Sequence, residues 1–341
     1  MNTIDFTAAL GFTDRSVTTV GERRVIRMQR TFATSIDDTW TACTDAERLR
    51  RWLGTADGER REGGVVRVQM TDDAADTATL TIVRCDAPRR LVVRWDWPDE
   101  PQSIVEMDLA PTAEGHTAMT LQHSALVGPL PVAYGAGWED FLLRLGWLLD
   151  GGEPNGVDTA NFIDEVTPIW TGLDGAAHAD HRWPTVEPDD SGTATARSRH
   201  EYAAPPETVW GAITDASRLS SWMAPVSGDL SVGGTWKLAY ENGSAVGTVL
   251  ECDPPRRFVT SWGWDFQPEA PESTLTIALT PTASGGTALE LVHERMQAPA
   301  EGYAAGWYAG TRVLERYLAG EILDDADWQA DWTTAMAMIR P

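Results

Sequence analysis

The chain has 341 residues, a formal net charge of −24 and 42% hydrophobic residues. At about 150 residues per domain, this length predicts roughly two domains, and the apolar content is too high for a disordered chain. Acidic residues outnumber basic ones by 51 to 27, which disfavours nucleic acid and anionic membrane surfaces as partners, because both attract basic proteins. The composition therefore indicates a soluble globular protein that binds neither nucleic acid nor anionic membrane surfaces.

The cysteines and the N-terminal residues bear on the cellular compartment. Cys43, Cys85 and Cys252 show neither CxxC spacing nor a paired arrangement, which is typical of a reducing compartment rather than a disulfide framework. Residues 1–10 lack a basic start followed by an apolar stretch, and the most apolar helical run, residues 141–149, is short. We therefore expect a cytoplasmic protein without a secretion signal or a membrane span.

The first half of the chain predicts a strand, two short helices, a series of strands and a long helix. Ser35, followed three residues later by Asp38, is typical of a helix start. The spacing of apolar residues predicts strands over residues 25–32, 65–70, 78–84, 91–97, 104–110 and 117–123, short helices ending near residue 43 and spanning 45–52, and a long amphipathic helix over 134–149.

The second half of the chain repeats the first, which indicates duplicated domains. The recurring positions, each given with its copy, include Trp40 and Trp210, Asp45 and Asp215, Trp52 and Trp222, Gly64 and Gly234, Trp95 and Trp262, His123 and His293, and Trp138 and Trp307. We assign residues 1–152 to the first domain, 153–192 to an acidic connector, and 193–341 to the second domain with a C-terminal tail. Apolar residues in the connector, such as Phe162 and Trp170, predict that part of it packs on a domain.

This order of elements predicts the α+β fold class. An antiparallel sheet usually buries one face, and a long helix at the end of each unit supplies the cover. We expect two tandem helix-grip domains, each a curved antiparallel sheet with two short helices and a long C-terminal helix over a cavity.

Several spaced motifs resemble the SRPBCC or START-like superfamily, and within it the family homologous to the activator of the heat-shock protein 90 ATPase. The motifs, which recur in the second half, are Trp40-x3-Thr44-Asp45-x3-Leu49-x2-Trp52, Gly63-Gly64, Leu121-x-His123-Ser124 and Gly137-Trp138. The resemblance implies the helix-grip fold. The superfamily includes lipid and hormone binders, polyketide cyclases, cochaperone domains and self-resistance proteins against enediyne antibiotics, so the fold alone does not assign an activity.

Aromatic residues are the most informative candidates for a binding site. Side chains two apart on a strand point the same way, so each Trp-x-Trp pair shares one face and can line a cavity with residues of the closing helix. The candidate ligand-binding residues are Trp95, Trp97, His123, Tyr134, Trp138, Phe141, Trp262, Trp264, His293, Tyr303, Trp307 and Thr311. The simpler interpretation is that these rings fill the core and leave no cavity.

The sequence predicts neither a metal site nor a cofactor. It contains no HExxH motif and no cluster with metal-ligand spacing, and its glycine pairs lack the strand and helix context of a nucleotide fingerprint. His123 and His293 could act as an acid or a base, but they belong to the structural motif, and no carboxylate partner can be assigned to them. We identify no catalytic residue.

Three functions remain open at this stage. The leading hypothesis is non-catalytic binding or sequestration of a hydrophobic, aromatic polyketide-like molecule, with enediyne self-resistance as its narrowest form; the sequence does not identify a glycine that such a drug would attack. The first alternative is a polyketide cyclase or dehydratase that uses His123 or His293, assisted by Arg94 or Asp96. The second alternative is a module that activates a chaperone ATPase. The sequence leaves the oligomeric state open, and a monomer is plausible because one chain already carries two domains.

The two domains are predicted to differ in cavity size. Phe141 and Leu142 on the first closing helix are replaced by Gly310 and Thr311 on the second. Smaller side chains on that face leave more room, so the larger cavity is expected in the second domain.

Overall fold

The computed structural model describes residues 11–154, 159–297 and 299–339. Residues 1–10, on which the expected lack of a secretion signal depends, lie outside this part of the chain. The chain divides into two compact units, Met1–Asp180 and His181–Pro341. Within the described residues, no helix is both long enough and apolar enough to cross a membrane.

The first unit contains a nine-stranded sheet with the strand order β3-β4-β5-β6-β7-β8-β2-β1-β9. Its elements are β1 (Thr13–Val20), β2 (Arg23–Phe32), α1 (Ile36–Thr44), α2 (Ala46–Leu49), β3 (Thr55–Gly58), β4 (Val65–Gln69), β5 (Thr77–Asp86), β6 (Arg90–Asp96), β7 (Ser103–Pro111), β8 (Thr117–Leu126), α3 (Leu130–Leu149), α4 (Ala160–Gly175) and β9 (His178–Ala179). Neighbouring strands pair antiparallel, except that β9 joins β1 in parallel.

The second unit contains an eight-stranded antiparallel sheet with the strand order β10-β11-β17-β16-β15-β14-β13-β12. Its elements are β10 (Thr185–Pro188), β11 (Thr193–Tyr202), α5 (Pro206–Thr214), α6 (Ala216–Ser220), β12 (Val226–Gly228), β13 (Thr235–Tyr240), β14 (Gly243–Asp253), β15 (Arg257–Trp264), β16 (Ser273–Pro281), β17 (Thr287–Gln297), α7 (Glu301–Leu318) and α8 (Asp325–Ile339). The α+β class and the tandem helix-grip architecture are confirmed.

Local capping explains where the short helices begin. The Ser35 hydroxyl accepts a hydrogen bond from the Asp38 backbone N–H at 3.3 Å, and the Asp45 carboxylate accepts one from the Arg48 N–H at 3.1 Å. In the second unit, Asp215 caps α6 in the same way. These caps satisfy backbone donors that have no partner inside the helix, so the predicted helix starts are confirmed.

The long helix of each unit packs on its sheet. In the first unit, Leu142 and Leu145 of α3 share one buried core with Ile26 and Met28 of β2 and Leu121 of β8. In the second unit, α7 contributes Trp307 and Leu314 to the equivalent core. Burial of the apolar stripe of each helix stabilises the unit and closes the inner side of the sheet.

The predicted connector contains a helix, α4, that packs on α3 of the first unit. Phe162, Val166 and Trp170 of α4 are fully buried. The Trp170 indole donates a hydrogen bond to the buried Glu139 carboxylate of α3 at 3.0 Å, and Arg15 of β1 pairs with the same carboxylate. The apolar residues of the connector therefore complete the core of the first unit, and the Trp170 hydrogen bond orients α4 on α3.

Gly135 of α3 lies directly against the Trp170 ring, and a Cβ added there would overlap it. We expect Gly135→Ala to lower the free energy of unfolding by about 1–3 kcal/mol, because overpacking must displace the indole. Gly137, on the same helix, has nothing within 4 Å of an added Cβ. Gly137→Ala should instead be neutral or stabilise by up to about 1 kcal/mol through helix propensity. Urea denaturation of both variants tests this, and equal effects would contradict the packing of α4 on α3.

Candidate ligand-binding site

A buried hydrogen-bond chain joins the long helix of the first unit to three strands of its sheet. The Trp138 indole of α3 donates to His123 Nδ1 of β8 at 3.0 Å. His123 Nε2 lies 2.8 Å from the Ser103 hydroxyl of β7, and that hydroxyl donates to the Trp95 carbonyl of β6 at 3.4 Å. His123 is fully buried, so both of its ring nitrogens are satisfied inside the protein.

The second unit contains an equivalent hydrogen-bond chain. The Trp307 indole of α7 donates to His293 Nδ1 at 2.9 Å, His293 Nε2 lies 2.7 Å from the Ser273 hydroxyl, and Ser273 donates to the Trp262 carbonyl at 3.0 Å. An indole N–H can only donate, so Nδ1 of each histidine is the acceptor and Nε2 carries the proton. This geometry defines one neutral tautomer for both rings.

Burial keeps both histidines neutral. Removal of the ring from water disfavours the charged imidazolium and lowers the pKa of His123 and of His293 to about 3. A group with such a pKa is unprotonated at neutral pH and cannot serve there as a general acid. These contacts favour the structural interpretation of the two histidines.

In the first unit, the candidate aromatic residues pack against one another. Trp95 and Trp97 are stacked with ring centroids 6.4 Å apart, and the Trp95 indole donates to the Tyr134 hydroxyl at 3.0 Å. Phe141 lies edge-on to Trp138, at 6.0 Å between centroids, and to Trp52 at 6.5 Å. The structure therefore brings all six candidates of this unit into one cluster, in which the Phe141 ring packs between Trp138 and Trp52.

The second unit contains a partly open cavity of about 80 Å³ at the equivalent place. Its wall is apolar and comes from the strands, from α7 and from the segment that follows α6. Trp222 and Met223 of that segment are partly exposed, whereas Trp52, the counterpart of Trp222, is buried. The segment 222–230 therefore forms the mouth of the cavity.

Two substitutions on α7 leave room for this cavity. Gly310 stands where the first unit has Phe141, and Thr311 stands where it has Leu142. Gly310 is buried, yet a Cβ added there would meet no other atom within 4 Å. The space that the Phe141 ring fills in the first unit is therefore open in the second, as the sequence predicts.

The predicted site residues of the second unit divide into two groups. Trp262, Trp307 and Thr311 line the cavity. Trp264, Tyr303 and His293 lie behind the wall, where the Trp264 indole donates to the Tyr303 hydroxyl at 2.7 Å and His293 contacts the rings of Trp262 and Trp307. Their binding role remains a prediction.

Sequence reasoning missed several wall residues. Trp222, Met223, Trp236 and Phe258 line the cavity but are not among the residues that the sequence predicts for the site. Trp236 lies on β13, whose alternating pattern of buried residues is a signal that could have found it. Trp222 and Met223, in the segment after α6, carry no such periodicity.

The wall contains no charge. Among the described residues that line the cavity, none has an ionisable side chain. Its hydroxyls have partners within the protein: Thr260 accepts from the Trp236 indole at 2.6 Å and donates to the Thr248 carbonyl at 3.0 Å, and Thr311 donates to the Tyr308 carbonyl at 2.8 Å. The cavity therefore suits an uncharged molecule and offers it aromatic faces and edges.

The family model for Activator of Hsp90 ATPase homolog 1-like proteins matches the chain twice, over residues 33–150 and 203–319. Both segments run from the short helices to the end of the long helix. No curated protein matches the chain.

Several solved structures are similar to the chain. CalU16 from Micromonospora echinospora is 30% identical, and the match covers 47% of this chain and 97% of CalU16 with a TM-score of 0.41. DynU16, a protein in the dynemicin biosynthetic locus, is 18% identical over 92% of this chain and 97% of its own, with a TM-score of 0.36. An HSP90 activator from Plasmodium falciparum is 26% identical over 37% of this chain and 96% of its own, with a TM-score of 0.34.

The lowered histidine pKa values predict how stability depends on pH. An unfolded histidine has a pKa of about 6.5, so between pH 7.5 and pH 5 the unfolded chain takes up protons at His123 and His293 while the folded chain does not. The free energy of unfolding should fall by about 2 kcal/mol per histidine over this interval. Urea denaturation at the two pH values measures the loss.

Imidazole NMR signals provide the direct control. The signals of His123 and His293, assigned with His123→Gln and His293→Gln, should not shift between pH 8 and pH 5. A midpoint near pH 6.5 for either signal would contradict the buried, neutral state of that ring.

Proposed function

The chain belongs to the family of Activator of Hsp90 ATPase homolog 1-like proteins, and from that premise we propose that its second unit binds a flat, hydrophobic small molecule without transforming it. The observation that carries the proposal is the uncharged, aromatic-walled cavity beneath Gly310. Ligand sites of this kind are concave and mostly apolar, with a few polar groups that orient the ligand.

The size of the cavity limits the part of a ligand that enters it. A cavity of about 150 Å³ in another protein binds benzene, so about 80 Å³ takes no more than one small ring in the unliganded form. A larger molecule would insert one ring under α7 and leave the rest between Trp222 and Met223. The unbranched Met223 side chain can change rotamer at low cost, which allows the mouth to widen.

The environment of the cavity supports binding rather than turnover. Acid–base catalysis needs a titratable group within hydrogen-bond reach of the substrate, and no such group lies in the wall. His293, which the cyclase hypothesis requires, already uses both ring nitrogens for Trp307 and Ser273. Sequestration of an aromatic natural product, including an enediyne, is a special case of the proposed binding.

Gly310→Phe should abolish binding, because it restores the side chain that fills the equivalent space in the first unit. The probes are indane, naphthalene and an enediyne, and the readout is the set of indole N–H NMR signals, which includes those of Trp222, Trp262 and Trp307. The wild-type protein should show saturable shifts of these signals with at least one probe. Gly310→Phe should show none, while its stability remains equal or increases, since the ring fills a cavity.

Gly302→Phe is the matched control, because it adds the same side chain to the same helix outside the cavity, at a glycine with nothing within 4 Å of an added Cβ. This variant should bind like the wild type. Unchanged affinity in Gly310→Phe, or no saturable shift with any probe in the wild type, would overturn the proposed function.

A further inference from the structure

The second unit has another recess, a polar cleft of about 350 Å³ lined by β11, by α7 and by the segment before β10. All of the residues that line it belong to the second unit. In contrast to the aromatic cavity, this cleft is lined mainly by charged side chains, which include three arginines, Arg182, Arg199 and Arg312, and two glutamates, Glu201 and Glu315.

The first unit has a paired strand edge where the second unit has this cleft. Strand β1 pairs with β2 as far as Thr13, which lies opposite Arg30, the counterpart of His200. In the second unit, β10 begins at Thr185 and pairs with β11 only as far as Arg197. The part of β11 that follows, residues 199–201, lines the cleft. The shorter edge strand therefore opens a recess that is specific to the second unit.

The walls of the cleft are fixed to one another. The Arg199 backbone N–H donates to the His181 carbonyl at 3.1 Å, which ties the segment before β10 to β11. Trp183 of the same segment is buried and stacks on Tyr308 of α7, with ring centroids 4.3 Å apart. The recess is thus formed in the absence of a ligand, which reduces the entropy lost when a ligand binds.

The arginines of the cleft are accessible to a solute. The side chains of Arg182 and Arg199 are exposed, and that of Arg312 is partly exposed. Arg199 pairs with Glu201 at 2.9 Å, but an ion pair between exposed side chains contributes little to stability. An incoming anion can therefore replace Glu201 as the partner of Arg199 at low cost. With three arginines and two glutamates, the cleft favours an anion although the whole chain has a net charge of −24.

We propose that this cleft binds a small phosphate monoester that also carries hydroxyl groups, such as a sugar phosphate. Three guanidinium groups can together engage the three terminal oxygens of a phosphate, and paired N–H donors of arginine match phosphate geometry. The carboxylates of Glu201 and Glu315 can accept hydrogen bonds from the hydroxyls. The acidic charge of the chain disfavours anionic membranes and nucleic acids, which present many phosphates, so a small molecule is the expected occupant.

Calorimetric titration with three probes at constant ionic strength tests this proposal. The probes are glucose 6-phosphate, inorganic phosphate and glucose. The wild type should bind glucose 6-phosphate most tightly and inorganic phosphate more weakly, because inorganic phosphate lacks the sugar hydroxyls, and it should bind glucose weakest of all. Arg199→Gln should weaken glucose 6-phosphate by about tenfold or more, since it removes hydrogen bonds between two charged groups. Arg199 is exposed, so this variant should fold like the wild type.

Arg257→Gln is the matched control. Arg257 also pairs with a glutamate, Glu251, at 3.1 Å, and its side chain is 45% exposed, compared with 48% for Arg199, but it lies on β15 outside the cleft. This variant should bind glucose 6-phosphate like the wild type. Glu201→Gln should tighten inorganic phosphate by up to about fivefold, because Arg199 loses a competing carboxylate.

The outcomes separate this inference from the proposed function. The proposal is wrong if glucose 6-phosphate shows no saturable binding to the wild type, or if Arg199→Gln weakens it no more than Arg257→Gln does. A phosphoserine peptide that binds more tightly than glucose 6-phosphate would overturn the assignment to a small molecule. Gly310→Phe fills the aromatic cavity and should leave the affinity for glucose 6-phosphate unchanged, so each of the two sites can fail without the other.

Discussion

The buried indole–imidazole–hydroxyl chain is the interaction on which each unit depends. It runs from Trp138 of α3 through His123 and Ser103 to the Trp95 carbonyl, and it therefore joins the closing helix to three strands of the sheet. Each member is satisfied only if helix and strands keep their relative positions, because a misplaced partner would leave a buried polar group unpaired. This hydrogen-bond chain therefore fixes the distance between the closing helix and the sheet.

The two units share the same hydrogen-bond chain but differ in how their interiors are packed. Both units keep the histidine chain with distances that agree within about 0.1 Å for its first two links. The closing helix of the first unit carries the Phe141 ring, which packs on Trp138. The closing helix of the second unit has Gly310 at that position, beside a cavity of about 80 Å³. The shared hydrogen-bond chain maintains the fold in both units. The residue at position 141 or 310 can therefore differ, and its size determines whether the interior is filled.

Much of the fold could be predicted from local patterns. The caps at Ser35 and Asp45 act within a few residues of the chain, and the alternation of the long strands reflects one buried face. The sequence does not predict the strand β1, because its eight residues contain only two valines among mostly polar side chains. The extent of α4 was not predicted either, since Pro168 lies inside it and its packing on α3 stabilises it.

The sequence by itself determined the duplication and the fold class, and it shows a small residue at position 310, because repeated motifs and side-chain size are local properties of the chain. Tertiary structure alone decided which aromatic rings meet and which polar atoms find partners. Trp95 and Trp262 occupy equivalent positions, yet only Trp95 reaches a tyrosine hydroxyl. The orientation of a neighbouring ring decides this, and ring orientation depends on packing by residues distant in the chain.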